Sequence, residues 1–124
     1  MPGTVLIIDD APEVTEMLKD ILEAHGYRAL ATNNPALVRT LLSDDPRPID
    51  LLVVDVIMPQ VPGREIAELV RERWPGCHVI FMSGYARERL PSPGVPAGAP
   101  LLMKPIAIGA LIDAVRAALG PGGC

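Results

Sequence analysis

Four short aliphatic runs constrain this chain more than any other feature: "VLII" (5–8), "LLVV" (51–54), "VIFM" (79–82) and "LLM" (101–103). None of them alternates with polar residues. A strand that is apolar at every position has both faces buried, and that is how strands of a parallel sheet covered on two sides read. A weaker candidate, "YRALAT" (27–32), lies between the first two.

Helical stripes fill the intervals. Val14, Met17, Leu18, Ile21 and Leu22 share one face, opened by Pro12 and stopped near Gly26. Leu37, Val38, Leu41 and Leu42 form a second stripe behind Asn34-Pro35. Ile66, Leu69, Val70 and Arg73 or Trp74 form a third, ended by Pro75-Gly76. Ile108, Leu111, Ile112, Val115 and Leu119 form the last, closed by Gly120-Pro121. Strand followed by helix, repeated about five times, predicts an α/β fold with helices on both faces of a parallel sheet. The stretch "PSPGVPAGAP" (91–100) carries four prolines in ten residues. Each removes a donor and clashes with the preceding turn, so a fourth helix should be short or irregular, over Ala86–Leu90.

The 124 residues amount to one domain, expected over 1–120 with a tail at 121–124. No apolar run approaches the ~20 residues of a membrane span, so no membrane insertion is expected. The opening "MPGTVLIIDD" does not read as a signal peptide. A formal charge of −4, with 11 Lys and Arg forming no basic block, argues against direct nucleic-acid binding. Cys77 and Cys124 form no disulfide framework and suggest a reducing, cytoplasmic setting. With the scattered His25 and His78 they make no zinc pattern, and both histidines read as ordinary surface or partly packed residues.

In open parallel sheets ligands bind outside the carboxyl ends of the strands, which makes the residue after each strand the informative one. Asp9 and Asp10 follow the first run, Asp55 the second, Ser83 the third and Lys104 the last. A single strand-end Asp or Ser is often only a cap or turn former. Five residues of fitting chemistry at four strand ends point to a site. Three clustered carboxylates resist joint ionisation unless a cation sits among them, and an all-oxygen donor set suits a hard ion such as Mg²⁺. A lysine opposite them makes sense if an anion such as a phosphoryl group also enters, with Ser83 donating to one of its oxygens. An aspartate can then act as the nucleophile, giving an acyl phosphate.

"IIDD", "VVDVIMPQVPG", "FMSGYA" and "LLMKP" resemble the receiver (phosphoacceptor) domain of bacterial two-component response regulators, nearly end to end from Thr4 to Leu119. "FMSGYA" followed by "KP" is most similar to receivers attached to hybrid histidine kinases. The resemblance implies a flavodoxin-like, doubly wound five-stranded sheet of order 2-1-3-4-5. It implies phosphorylation of Asp55 by a histidine kinase or histidine phosphotransfer protein, with Mg²⁺ or Mn²⁺. Asp10 would bind the cation directly, Asp9 largely through water, and Asp55 and the Ile57 backbone carbonyl would complete the protein ligands. Ser83 and Lys104 would engage the phosphoryl oxygens. Pro59 and Gly63 match the turn after the phosphoacceptor, and Lys104-Pro105 would be cis.

Two departures carry consequences. Leu101 stands where many receivers place an aromatic switch residue, and it reads first as strand core. Ile57, with Tyr85 across the site, is expected to gate the water that hydrolyses the acyl phosphate. A proline-rich 91–100 also predicts that the common dimer face built on the fourth helix is not used. The expected function is a signalling module that catalyses only its own phosphorylation and dephosphorylation, not an enzyme with a separate substrate. It would pass its conformational signal to a partner protein or an attached output domain. A haloacid-dehalogenase-type phosphatase would need Asp-x-Asp after the first strand, whereas the pair here is adjacent. A degenerate receiver acting as a binding scaffold is disfavoured by the complete Asp9, Asp10, Asp55, Ser83, Lys104 set.

Overall fold

The computed structural model describes residues 3–34, 38, 40, 48–59, 61–86, 89–90, 95–96 and 98–120. Five strands, β1 (Thr4–Ile8), β2 (Arg28–Thr32), β3 (Leu51–Asp55), β4 (His78–Ser83) and β5 (Leu101–Met103), form one sheet of order β2-β1-β3-β4-β5. All four pairings are parallel. The helices that can be delimited are α1 (Pro12–Ala24), α2 (Gly63–Arg73) and α3 (Ile108–Leu119). The strands expected from the aliphatic runs are all present, each within a residue or two of its expected bounds.

Side-chain parity explains why the runs do not alternate. Leu6, Ile8, Leu52, Val54, Val79 and Phe81 point to one face, where they pack with Ile66, Ala67 and Val70 of α2. Val5, Ile7, Leu51, Val53, Ile80 and Met82 point to the other, against α1 and α3. Both faces are dry, so every position of the central strands must be apolar. Large-to-small changes there would cost about 2–5 kcal/mol each.

Helical stripes define faces, yet not all their members are covered. In α1 the buried residues are Thr15, Leu18 and Leu22, while Met17 is exposed. In α3, Leu111, Ile112 and Val115 are buried and Ile108 is exposed. Ile108 opens α3 just beyond the carboxyl end of β5, before the helix lies along the sheet. Of the second stripe only Val38 is described; it is helical and buried against the α2 face. Leu37, Leu41 and Leu42 lie outside the described residues. The expected Ala86–Leu90 helix is described only in part. Arg89 sits in a 3₁₀ turn, with its N–H donating to the Ala86 carbonyl at 2.9 Å. No described helix is long and apolar enough to cross a membrane.

The lower end of the sheet is tied to the chain's last helix. Buried Tyr27 donates its hydroxyl to the Gly120 carbonyl at 2.7 Å, where Gly120 ends α3 with a φ of 84°. A left-handed residue at this point is most easily a glycine.

Candidate phosphoacceptor and cation site

Parallel pairing delivers the carboxyl ends of β1, β3, β4 and β5 to one rim of the sheet, and the polar residues collect there. Asp9, Asp10 and Asp55 each offer a carboxylate oxygen within 4.8 Å of the others. Asp9 is fully buried, Asp55 nearly so, and Asp10 is exposed at the opening. Lys104, arriving at the end of β5, places its ammonium 2.7 Å from Asp9 Oδ2 and 2.8 Å from Asp55 Oδ2. One cation thus bridges two of three anions.

The two buried carboxylates are also fixed by their own loops. Asp9 Oδ1 accepts the Ala11 N–H at 2.9 Å, and Asp55 Oδ1 accepts the Ile57 N–H at 3.2 Å. Ser83 is buried at the end of β4, and its Oγ accepts the Tyr85 N–H at 2.8 Å. That bond uses a lone pair of the hydroxyl and leaves its proton available for donation. The Lys104 N–H donates to the Ser83 carbonyl at 2.8 Å, which ties the lysine and serine loops together. The Lys104–Pro105 peptide is cis.

The turn after β3 is closed by Gly63, whose N–H donates to the Val56 carbonyl at 3.0 Å. A Cβ on Gly63 would run into the Asp55 carbonyl, so only glycine allows α2 to start this close to the end of β3. Pro59 is exposed in the same turn. Ile57 and Tyr85 both have exposed side chains, on the loops that follow β3 and β4. Leu101 stands opposite Phe81 in the β4–β5 register and packs, half-buried, on the α2-side core.

Burial raises the Asp55 carboxyl above its ordinary value; the hydrogen bond and charge of Lys104 pull it down, and the Asp9 charge pushes it up again. Burial alone would lower Lys104, but its hydrogen bond to Asp55 and its charge attraction to Asp55 and Asp9 outweigh that and leave it raised. The lysine therefore stays charged while the cluster remains short of positive charge.

Those features test whether a cation belongs here. Among the described residues Asp9 Oδ2 is buried without a partner in hydrogen-bond geometry, with the Lys104 ammonium 2.7 Å away as an ion pair. A buried carboxylate oxygen left this way is costly unless a further positive group faces it. The available donors are all oxygens, as Mg²⁺ prefers, and the donor set fits.

The family model for the response regulator receiver domain matches residues 5–116. This chain belongs to that family, the receiver domains of two-component signalling systems. The receiver is 28% identical to the response regulator receiver protein CpdR of Brucella abortus, over 90% of this chain and 92% of CpdR. It superposes on the receiver domain of the hybrid histidine kinase CckA with a TM-score of 0.78, at 29% identity and over 94% and 99% of the two chains. It is also similar to the response regulator TrrA of Thermotoga maritima, solved in complex with Mg²⁺-BeF (TM-score 0.74, 26% identity, 94% and 99% covered). The receiver fold is flavodoxin-like, as the strand order requires.

The structure thus brings together Asp9, Asp10, Asp55, Ser83 and Lys104, with Ile57, Tyr85 and Gly63 around them. Sequence reasoning placed Lys104 opposite the carboxylates. That one ammonium would bridge both Asp9 and Asp55 was not foreseen, because it depends on how β5 is staggered against β4.

Proposed function

We propose that this receiver accepts a phosphoryl group on Asp55 from the phosphohistidine of a histidine kinase or phosphotransfer protein. The observation that carries the reading is the Lys104 ammonium shared between Asp9 and Asp55 inside a cluster of three carboxylates. Asp9, Asp10, Asp55 and the Ile57 carbonyl are the candidate ligands for Mg²⁺ or Mn²⁺. When bound, the cation offsets the negative charge that the carboxylates and the incoming phosphoryl oxygens bring together.

The protein's own residues supply the rest. An Asp55 carboxylate oxygen attacks phosphorus as the phosphorus–nitrogen bond breaks, and its electron pair returns to the donor imidazole. Lys104 exchanges its pairing with Asp55 Oδ2 for the new phosphoryl oxygens and keeps Asp9. Ser83 turns its free proton toward another of those oxygens, which draws on the β4–β5 loops joined through its own carbonyl. That movement is the source of the signal to a partner or an attached output domain. Leu101, lacking a ring, can fill only part of the space that Ser83 leaves. Ile57 and Tyr85 shield the acyl phosphate from water and lengthen its life. A cytoplasmic setting, where histidine kinases expose their phosphohistidine, suits the chemistry.

The test is incubation with a small phosphodonor, with and without Mg²⁺, read by intact mass. One added phosphoryl group that requires Mg²⁺ and vanishes in Asp55→Asn is expected. Labelling that survives Asp55→Asn would refute the assignment of Asp55.

A further inference from the structure

Asp55 is joined to its neighbours in two different ways. Toward β5 the link runs through a flexible side chain, Lys104, whose ammonium reaches Asp55 Oδ2 at 2.8 Å. Toward α2 it runs backbone to backbone. The Gly63 N–H donates to the Val56 carbonyl at 3.0 Å, and Gly63 lies so close to the Asp55 carbonyl that a Cβ would strike it. Val56 and Met58 are buried, and with Val61 they pack in the same core cluster as Ile66, Ala67 and Val70 of α2. Ile57, between Val56 and Met58, gives its N–H to Asp55 Oδ1. This turn is no slack tether: its backbone and its apolar side chains are both seated against the helix it leads into.

From that contact α2 runs to the opposite pole of the sheet. Its 11 residues rise about 16 Å, from the carboxyl end of β3 toward the amino end of β4. There the chain turns back. The Trp74 backbone N–H donates to the Val70 carbonyl at 2.8 Å, the Trp74 carbonyl accepts the Cys77 N–H at 3.0 Å, and β4 begins at His78. Trp74 is the single tryptophan of the sequence. Its half-buried side chain packs on the α2-side core, with the Arg73 guanidinium 5.0 Å from the ring centroid. Arg71, Glu72 and Arg73 are exposed beside it. A hydrogen-bonded helix moves as one piece, and a packed interface answers a small shift by changing arrangement rather than by yielding locally.

We propose that α2 is a second route for the signal, beside the one through Ser83: cation binding and phosphorylation at Asp55 shift α2 as a unit and change the setting of Arg73 and Trp74 at the opposite pole. This relay rests on Asp55 being the phosphoacceptor and on the Ile57 carbonyl being a cation ligand. Loading those two groups acts on the turn whose backbone touches Gly63, with no rotatable side chain between. Coupling of this kind is reciprocal. A partner that holds the Arg71–Trp74 end in one setting therefore alters cation affinity at the rim by the same factor.

Trp74 emission and amide exchange at Cys77 are the readouts, on the intact protein. Titration with Mg²⁺ at constant ionic strength should shift the emission to a plateau and change the exchange rate of the Cys77 amide, whose bond to the Trp74 carbonyl spans the end of α2. Asp10→Asn should lose this response at the same Mg²⁺ concentrations, which separates the rim from any cation held by the exposed Glu68 or Glu72 of α2 itself. A small phosphodonor should then change the emission in proportion to the phosphorylated fraction read by intact mass. Val61→Ala loosens the turn from the core without touching a cation or phosphoryl group, and it should reduce the Trp74 response while labelling of Asp55 is still reached. Emission that stays constant while thermal melts show Mg²⁺ bound would overturn the relay, as would a full response in Val61→Ala or in Asp10→Asn. Labelled protein with unchanged emission would overturn it too, and would leave Asp55 as the phosphoacceptor. Protein that takes no label would refute the Asp55 assignment instead, and the Mg²⁺ titration alone then decides the relay.

Discussion

Gly63→Ala puts the closeness of α2 to the end of β3, which carries Asp55, to a direct test. The added Cβ would sit 2.9 Å from the Asp55 carbonyl carbon and 3.1 Å from Val56 Cα, and closer still to the Asp55 carbonyl oxygen. Carbon atoms in contact prefer about 3.5–4.0 Å. All three obstacles are backbone, so no side chain can rotate aside and the turn between β3 and α2 must open by roughly 1 Å. Overpacking of this kind costs typically ~1–3 kcal/mol, and rigid neighbours put it at the upper end. Alanine returns at most about 1 kcal/mol through its better helix propensity at the first position of α2. The net loss is then about 2 kcal/mol, or a fall in Tm of roughly 6–12 °C for a domain of this length. Urea denaturation should show a lower midpoint at unchanged slope. Because Asp55 must shift with its carbonyl, affinity for Mg²⁺ should fall as well. Gly76→Ala is the control: nothing lies within 4 Å of the point its methyl would occupy, and its backbone is not left-handed. It should change stability by no more than about 0.5 kcal/mol. A Gly63→Ala protein as stable as the parent, with the same Mg²⁺ affinity, would refute the reasoning.

Three further outcomes follow from the same geometry. Mg²⁺ at about 100 times its Kd should stabilise the fold by ~2.7 kcal/mol in thermal melts. Asp9→Asn should remove most of that gain; an unchanged shift would mean that Asp9 Oδ2 does not face the cation. Burial pushes the Cys77 thiol from 9.0 up to about 11. The unfolded chain therefore releases this proton first, and stability should decline between pH 9 and 11 by at most about 3 kcal/mol. Cys77→Ala should flatten that part of the urea-midpoint profile, and an identical alkaline decline would exclude the thiol as its cause. Ile57→Glu should shorten the life of phosphorylated Asp55 several-fold in a dephosphorylation time course by admitting and orienting water. An unchanged lifetime would show that Ile57 does not shield the bond.

Legibility from sequence followed the length scale of each interaction. The sheet was legible because burial on both faces leaves a mark at every residue of Val5–Ile8 and Leu51–Val54, and runs this short are strands rather than buried helices. The candidate site was legible because strand direction alone fixes which residues reach the rim. Met17 and Ile108 were less so: a stripe gives the direction of a helix face but not how far the sheet beneath it extends. Both fall at positions the sheet does not cover. The Tyr27–Gly120 bond joins residues far apart in the chain, and neither residue type announces it. The edge of β4 shows where pattern reading stops. Four prolines in 91–100 exclude a continuous helix, but they do not say which carbonyl goes without a donor. That follows only from the pairing of Phe81 with Leu101, because a one-residue slip would set Pro100 opposite a backbone group that faces away. In that register the Val79 carbonyl would need its donor from Pro100, which has no N–H, and β5 pairs only with Phe81–Ser83.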